Sequence, residues 1–284
     1  MFYGKLFTVK KLLESGVHYG HKKNRWNPKM AQYIYGIKNK VHIIDLEQTA
    51  RMLDKALFAI KSVAAKNGRI LFVSTKKNSA DIVAEQAARC GQYYINKRWL
   101  GGMLSNWQTV SASVKKMEEC ENLLKQDEAA FKKKERLLIQ RKFDKLNSVL
   151  GGIRSMGGLP DMIFVVDDQK HRGAITEANK MGIEVCSVVD TNSNPTEIDY
   201  VIPGNDDARK SIEIFLTLAA DASLAGTHEA LAAANITDID EKNTDISVLK
   251  SLTAKKPSNH NNNNRNKNNI SKLKKSKKAP TVEA

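Results

Sequence analysis

Only three of the 284 residues are cysteine: Cys90, Cys120 and Cys186. They lie far apart, are odd in number and form no C-x-x-C pair. That excludes a disulfide framework and a thiolate zinc site, and it fits a reducing cytosol. No apolar run approaches the ~20 residues that a spanning helix requires. The longest, such as 70–73 and 163–166, are strand-sized, so no membrane partner is expected. Residues 1–13 carry Lys5, Lys10 and Lys11 with no apolar h-region and no small-residue cleavage site, so no secretory signal is expected. Phosphate-loop glycines are lacking too. No G-x-G-x-x-G follows a strand, and there is no G-x-x-x-x-G-K-[ST], no G-x-S-x-G elbow and no H-E-x-x-H. The glycine pairs at 101–102, 151–152 and 157–158 lack the third glycine and read as tight turns. No enzyme activity, cofactor or small-molecule substrate is expected, and the location expected is cytoplasmic.

What the chain does have is positive charge. Lys plus Arg is 46 and Asp plus Glu is 31, a net +15. Residues 250–284 hold ten basic side chains and one acidic one, so nine of the fifteen net charges sit in the tail. A field of this sign attracts polyanions, and nucleic acid is the first partner to consider.

Strand-like and helix-like segments alternate. RILFVS (69–74), MIFVV (162–166) and 184–189 are near-continuous apolar runs of the kind found in a sheet covered on both faces. Short strands are expected at 41–46 and 200–202, and helices at 8–15, 48–65, 79–89, 174–181 and 206–225. Such alternation predicts an α/β fold, a parallel sheet flanked by helices with right-handed crossovers. Residues 16–36 read as a loop. Between two strands, Val110, Val114, Met117 and Leu124 form one helical stripe, and Ile139, Phe143, Leu146 and Leu150 another, with KKKER (132–136) as a charged outer face. This predicts an inserted antiparallel coiled-coil hairpin over 104–150. The α/β body would then comprise 1–103 and 151–230. Residues 235–284 are an Asn/Lys-rich, basic C-terminal tail with too little apolar surface to fold, expected to be disordered.

Acidic residues gather where the strands end: Asp167, Asp168, Asp190, Asp206 and Asp207. Ligands of open α/β sheets bind at that edge. With His21 or His171, these carboxylates could bind a divalent ion. Equally, Asp206 could cap the next helix while the others order turns. The second account is preferred, and no metal is expected.

Two segments combine cations, amides and aromatics. The first holds Lys22, Lys23, Arg25, Trp26 and Lys29 and continues to Lys38 and Lys40. The second holds Asn96, Lys97, Arg98, Asn106 and Trp107. Arg and Lys neutralise phosphates, Asn bonds sugars or base edges, and Trp offers a face for an unstacked base. A lone tryptophan more often anchors a loop to the core, so the cations carry the RNA-binding expectation.

In these stretches the chain closely resembles the family of bacterial protein number two of the small ribosomal subunit. The matching stretches are GVHYGH (16–21), RWNPKM (25–30), YGIKNKVHIIDLE (35–47), NKRWLGGMLSNWQT (96–109), GGLPD (157–161), EANKMGI (177–183), VVDTNSNP (188–195) and VIPGNDDA (201–208). The resemblance implies a flavodoxin-like parallel sheet with a projecting coiled-coil hairpin. It also implies a structural role in translation. The partners implied are small-subunit ribosomal RNA at the head–body junction and other small-subunit proteins, including the mRNA-capturing ribosomal protein one, which this protein would help dock. The family likeness carries RNA contact onto Arg25, Trp26, Asn96, Lys97, Arg98 and Asn106. QKHRG (169–173) and the tail depart from the family pattern, and no functional residue is carried over there.

Overall fold

The computed structural model describes residue 2, residues 6–125 and residues 132–233. The expected disordered tail, 235–284, lies outside the described residues. In chain order the elements are α1 (Val9–Glu14), β1 (Tyr19–Lys22), β2 (Ile34–Lys38), β3 (Val41–Ile44), α2 (Leu46–Ala65), β4 (Ile70–Val73), α3 (Ala80–Arg89), β5 (Tyr93–Ile95), α4 (Trp107–Lys125), α5 (Lys133–Leu150), β6 (Met162–Val166), α6 (Arg172–Met181), β7 (Glu184–Val189), β8 (Tyr200–Pro203) and α7 (Arg209–Ala233).

Strands β4 to β8 form a parallel sheet in the order β5-β4-β6-β7-β8. Renumbered from one, that is 2-1-3-4-5, the flavodoxin order, whose switch point falls between the first and third strands. The uninterrupted apolar runs are explained by two-sided burial. Ile70, Phe72, Met162, Phe164, Cys186 and Val188 enter one core with α2, α3 and α7. Leu71, Val73, Ile163, Val165, Val185 and Val189 enter a second core with α6 and the bases of α4 and α5. Successive strand residues point to opposite faces, so every position of such a strand must be apolar. Phe72 and Phe164 are paired in register, with ring centroids 5.6 Å apart. The three cysteines are free and buried, and burial pushes the Cys186 thiol up. Cys186 is the small core residue expected.

Helix α2 follows its predicted stripe. Leu53, Ala56, Leu57 and Ile60 are buried, and Asp45 caps the start by accepting from the Glu47 and Gln48 N–H groups. Helices α4 and α5 pack on each other. Val110, Val114, Met117 and Leu150 are buried, while Leu124, Ile139, Phe143 and Leu146 are half-buried. This alternating 3,4 spacing is that of a helix seam. Arg154, beyond α5, reaches Glu118 at 3.3 Å and Glu121 at 2.5 Å on α4.

Residues 16–36 are not a loop. They contain β1, two short 3-10 turns and the start of β2. β1, β2 and β3 form an antiparallel sheet of their own, in the order β1-β3-β2. Its register shifts in both pairings, and Tyr19, Tyr35 and Ile37 are exposed. With little buried on one face, the strands lack the apolar alternation that reveals a strand in sequence. β5 was likewise missed; it is three residues long, with Tyr93 and Tyr94 only half-buried.

Candidate nucleic-acid interface

Because all five strands run parallel, the loops that leave them share one edge. The first cationic segment is laid over that edge from outside. The His21 N–H donates to Thr191 Oγ1 at 2.8 Å, and the Asn27 N–H donates to the Thr191 carbonyl at 2.8 Å. Thr191 follows β7 and is buried. Gly20 permits this approach: a Cβ there would lie 2.5 Å from Thr191 Cγ2. Gly20→Ala should therefore lift the segment off the edge at about 1–3 kcal/mol. Faster hydrogen exchange at the His21 amide and a lower urea midpoint would show it; an unchanged His21 amide would refute it.

Lys22, Lys23, Arg25, Lys29, Lys38 and Lys40 are all exposed. Lys29 Nζ donates to Thr196 Oγ1 at 3.2 Å, and none of the six is ion-paired with a carboxylate of the described residues. Trp26 is 39% exposed, its ring 5.3 Å from that of buried His42. Burial, aided by Lys23, holds His42 below the ordinary histidine range.

The second segment leaves β5. Lys97 and Arg98 are exposed. Asn96 spends its amide nitrogen on the Ala80 carbonyl at 3.0 Å, and Asn106 Oδ1 accepts from the Thr109 hydroxyl at 2.9 Å, so both amides also hold local structure. Trp107 and Trp99 are half-buried against the second core. The loop is organised by Glu177 of α6, which sequence reasoning did not single out. Its carboxylate accepts from Trp99 Nε1 (3.2 Å) and from the N–H groups of Gly102 (2.9 Å), Leu104 (2.9 Å) and Ser105 (3.3 Å). Gly102 sits at φ +82°, where a side chain is strained. Burial pushes Glu177 up, but the Leu104, Trp99 and Gly102 donors outweigh it, and the carboxyl is held below its ordinary range. EANKMGI was legible only as a family match; nothing local told that its glutamate reaches across 72 to 78 residues.

At the switch point, between the ends of β4 and β6, the crevice is filled by Lys76. Its ammonium lies 2.9 Å from Asp167, 3.0 Å from Asp206 and 2.7 Å from Asp207. Burial lowers the Lys76 pKa, but these carboxylates more than offset it and the amine stays charged. One cation cannot balance three acids. Burial pushes Asp206 up to about 7, with Asp190 and Asp167 adding to it and Lys76 opposing. Asp206 turns its carboxylate onto Lys76 instead of capping α7, and the turn before that helix is ordered by Asn205, whose side-chain oxygen accepts from the Asp207 and Ala208 N–H groups. His171 is buried: its Nδ1 lies 2.8 Å from the Asp167 carbonyl, and Nε2 accepts the Thr75 N–H at 3.1 Å, which makes Nδ1 the protonated nitrogen. His21 lies 2.9 Å from Asp190 and 3.5 Å from Asp207. The Asp190 hydrogen bond raises its pKa while burial opposes. Among the described residues, His21, Asp190 and Asp207 set ligand atoms within 4.8 Å of one another, a group that could hold a metal ion.

These features define a basic α/β protein with a lysine held among carboxylates at the switch point of its sheet and, in the two cationic segments, surface cations that have no carboxylate partner among the described residues. The family model described as "Ribosomal protein S2" matches residues 12–226, and the chain belongs to that family, a structural and not an enzymatic one. The chain is similar to "Small ribosomal subunit protein uS2" of Ehrlichia ruminantium (strain Gardel), 54% identical over 230 residues, which is 81% of this chain and 80% of that one. It is similar to the protein of the same name from Gluconobacter oxydans (strain 621H), 50% identical over 250 residues, covering 87% of this chain and 94% of that one. A third, from Bradyrhizobium sp. (strain ORS 278), is 53% identical over 225 residues, 79% and 68% of the two chains.

Proposed function

We propose that the protein is a structural constituent of the small ribosomal subunit that binds small-subunit ribosomal RNA in the cytoplasm and supports translation. The observation that carries the reading is the row of exposed cations with no carboxylate partner among the described residues: Lys22, Lys23, Arg25, Lys29, Lys97 and Arg98. Unpaired surface cations keep their full charge for phosphate groups. Trp26, being exposed, offers a face to a base, whereas Trp107 serves its loop. The seat at the head–body junction and the docking of ribosomal protein one come from the family likeness. The packed pair α4 and α5 would be the projecting coiled-coil hairpin, 104–150, on a body of 1–103 and 151–230.

Replacing Lys97 and Arg98 together by alanine tests this. Occupancy in small subunits isolated from cells should fall while the thermal melt of the free protein stays unchanged. Wild-type occupancy would remove this loop from the RNA surface.

A further inference from the structure

The two cationic segments of the sequence lie three strands apart along the same sheet edge. Lys97 and Arg98 leave β5, while the segment with Arg25 and Lys29 is pinned to Thr191 and Thr196 beyond β7. Three strand spacings of ~4.8 Å put about 14 Å between them. The sequence fills that interval with acids, which would break any polyanion-binding surface in two.

The side chains invert this picture. Asp167 and Asp206 are buried and turn onto Lys76, as does Asp207, whose side chain stays exposed but is held 2.7 Å from the ammonium. What faces outward between the two segments is Lys77 after β4, Lys170 after β6 and Arg209 at the start of α7, all exposed. The 205–209 segment is drawn back across the edge because Lys76 also donates to the Asp206 carbonyl, and Arg209 then reaches the Asn78 carbonyl at 3.2 Å. Lys170 lies over the Thr75 carbonyl at 3.1 Å. Each of these bonds uses one donor and leaves the charge uncompensated. No carboxylate of the described residues is ion-paired with Lys77, Lys170 or Arg209. By contrast, Arg172 nearby is 4.0 Å from Glu197.

We infer that Lys77, Lys170 and Arg209 join the two segments into one continuous phosphate-binding band along the carboxyl edge of the sheet, with Lys76 as the internal partner that holds Asp167 and Asp206 beneath it. The inference rests on the RNA-binding reading and extends it to residues outside both segments. The band is long enough to meet more than one phosphate of a strand. The edge that in other sheets of this order opens to a nucleotide is here closed inside and cationic outside.

The full-length protein is titrated with small-subunit ribosomal RNA freed of protein, over a range of salt. Each phosphate contact contributes about 0.7–0.9 to the magnitude of the log–log slope. The triple variant K77A/K170A/R209A should lose about 2.1–2.7 from that slope, and K97A/R98A about 1.4–1.8. The basic tail is common to all variants and cancels in the differences. The charge-keeping variant K77R/K170R/R209K should restore the wild-type slope. Lys77 makes no hydrogen bond or ion pair with the described residues, so K77A alone, expected to lose about 0.7–0.9, gives the answer if the triple variant is unstable. A wild-type slope in the triple variant and in K77A, with the K97A/R98A slope reduced, overturns the band and leaves the RNA-binding reading standing. Wild-type slopes in all of them overturn both.

Discussion

Glu177→Ala should cost about 3 kcal/mol and free the 99–105 loop from the body. The carboxylate gathers four N–H donors from one short stretch, and the Leu104 residue among them is buried. Donors left without an acceptor cost ~1–3 kcal/mol each where water cannot replace it, and those of Ser105 lie at the surface and are readily rehydrated. Glu177→Gln keeps the side-chain oxygen but loses the charge, so about half the effect should remain. The carboxyl is held below its ordinary range, so its stabilisation is present above ~pH 4.3 and is lost as pH falls through the folded value. The gap between wild type and Glu177→Gln should therefore narrow in acid. Urea unfolding at pH 7 and below pH 4, with hydrogen exchange at Gly102 and Leu104, reads both effects. Equal stability of Glu177→Ala and wild type at pH 7 would show that the loop does not depend on this contact. Because Lys97 and Arg98 ride on the same loop, incorporation into small subunits should fall in parallel.

Lys76→Met should cost a comparable ~3 kcal/mol near pH 7.5, a deficit that also shrinks in acid but does so nearer neutrality. Removing one partner of a buried ion pair leaves an uncompensated charge and costs ~3–5 kcal/mol. The lower figure is apt here because the Asp207 side chain is 61% exposed and adds little. Asp206 already titrates at about 7 with Lys76 present, well above its unfolded value. A folded carboxyl raised in this way takes up its proton more readily than the unfolded chain. Its contribution is thus fully favourable below about pH 4 and is lost as pH rises through 7. Without the lysine this loss deepens and moves to higher pH. The deficit of Lys76→Met should accordingly be small at pH 5 and largest near pH 8, and Lys76→Met/Asp206→Asn should recover most of it. A deficit that did not change between pH 5 and 8 would mean that the lysine stem, not its charge, fills the crevice.

The legible parts of the fold were those whose physics is local. ILFV and MIFVV announced strands covered on both faces because each successive side chain must be apolar when both sides of a sheet are packed. The stripe of α2 was equally clear. Strands β1 and β2 were not, since one face of their sheet is exposed and glycine interrupts YGHK and IYGIK. The site divides in the same way. Lys22, Arg25, Lys97 and Arg98 could be read as surface cations from their neighbours alone. Asn96 and Asn106 read as RNA contacts, yet their amides also serve Ala80 and Thr109.

The sequence by itself determined the charge, the alternation of strands and helices, the apolar faces and the family to which the chain belongs. Only tertiary structure decided which charges are spent inside and which are left for a partner. Lys76 and Lys77 are adjacent and chemically alike, yet one is enclosed by carboxylates 91, 130 and 131 positions away and the other stands in solvent. The reason is that ion pairing falls steeply with separation in space and is indifferent to separation along the chain.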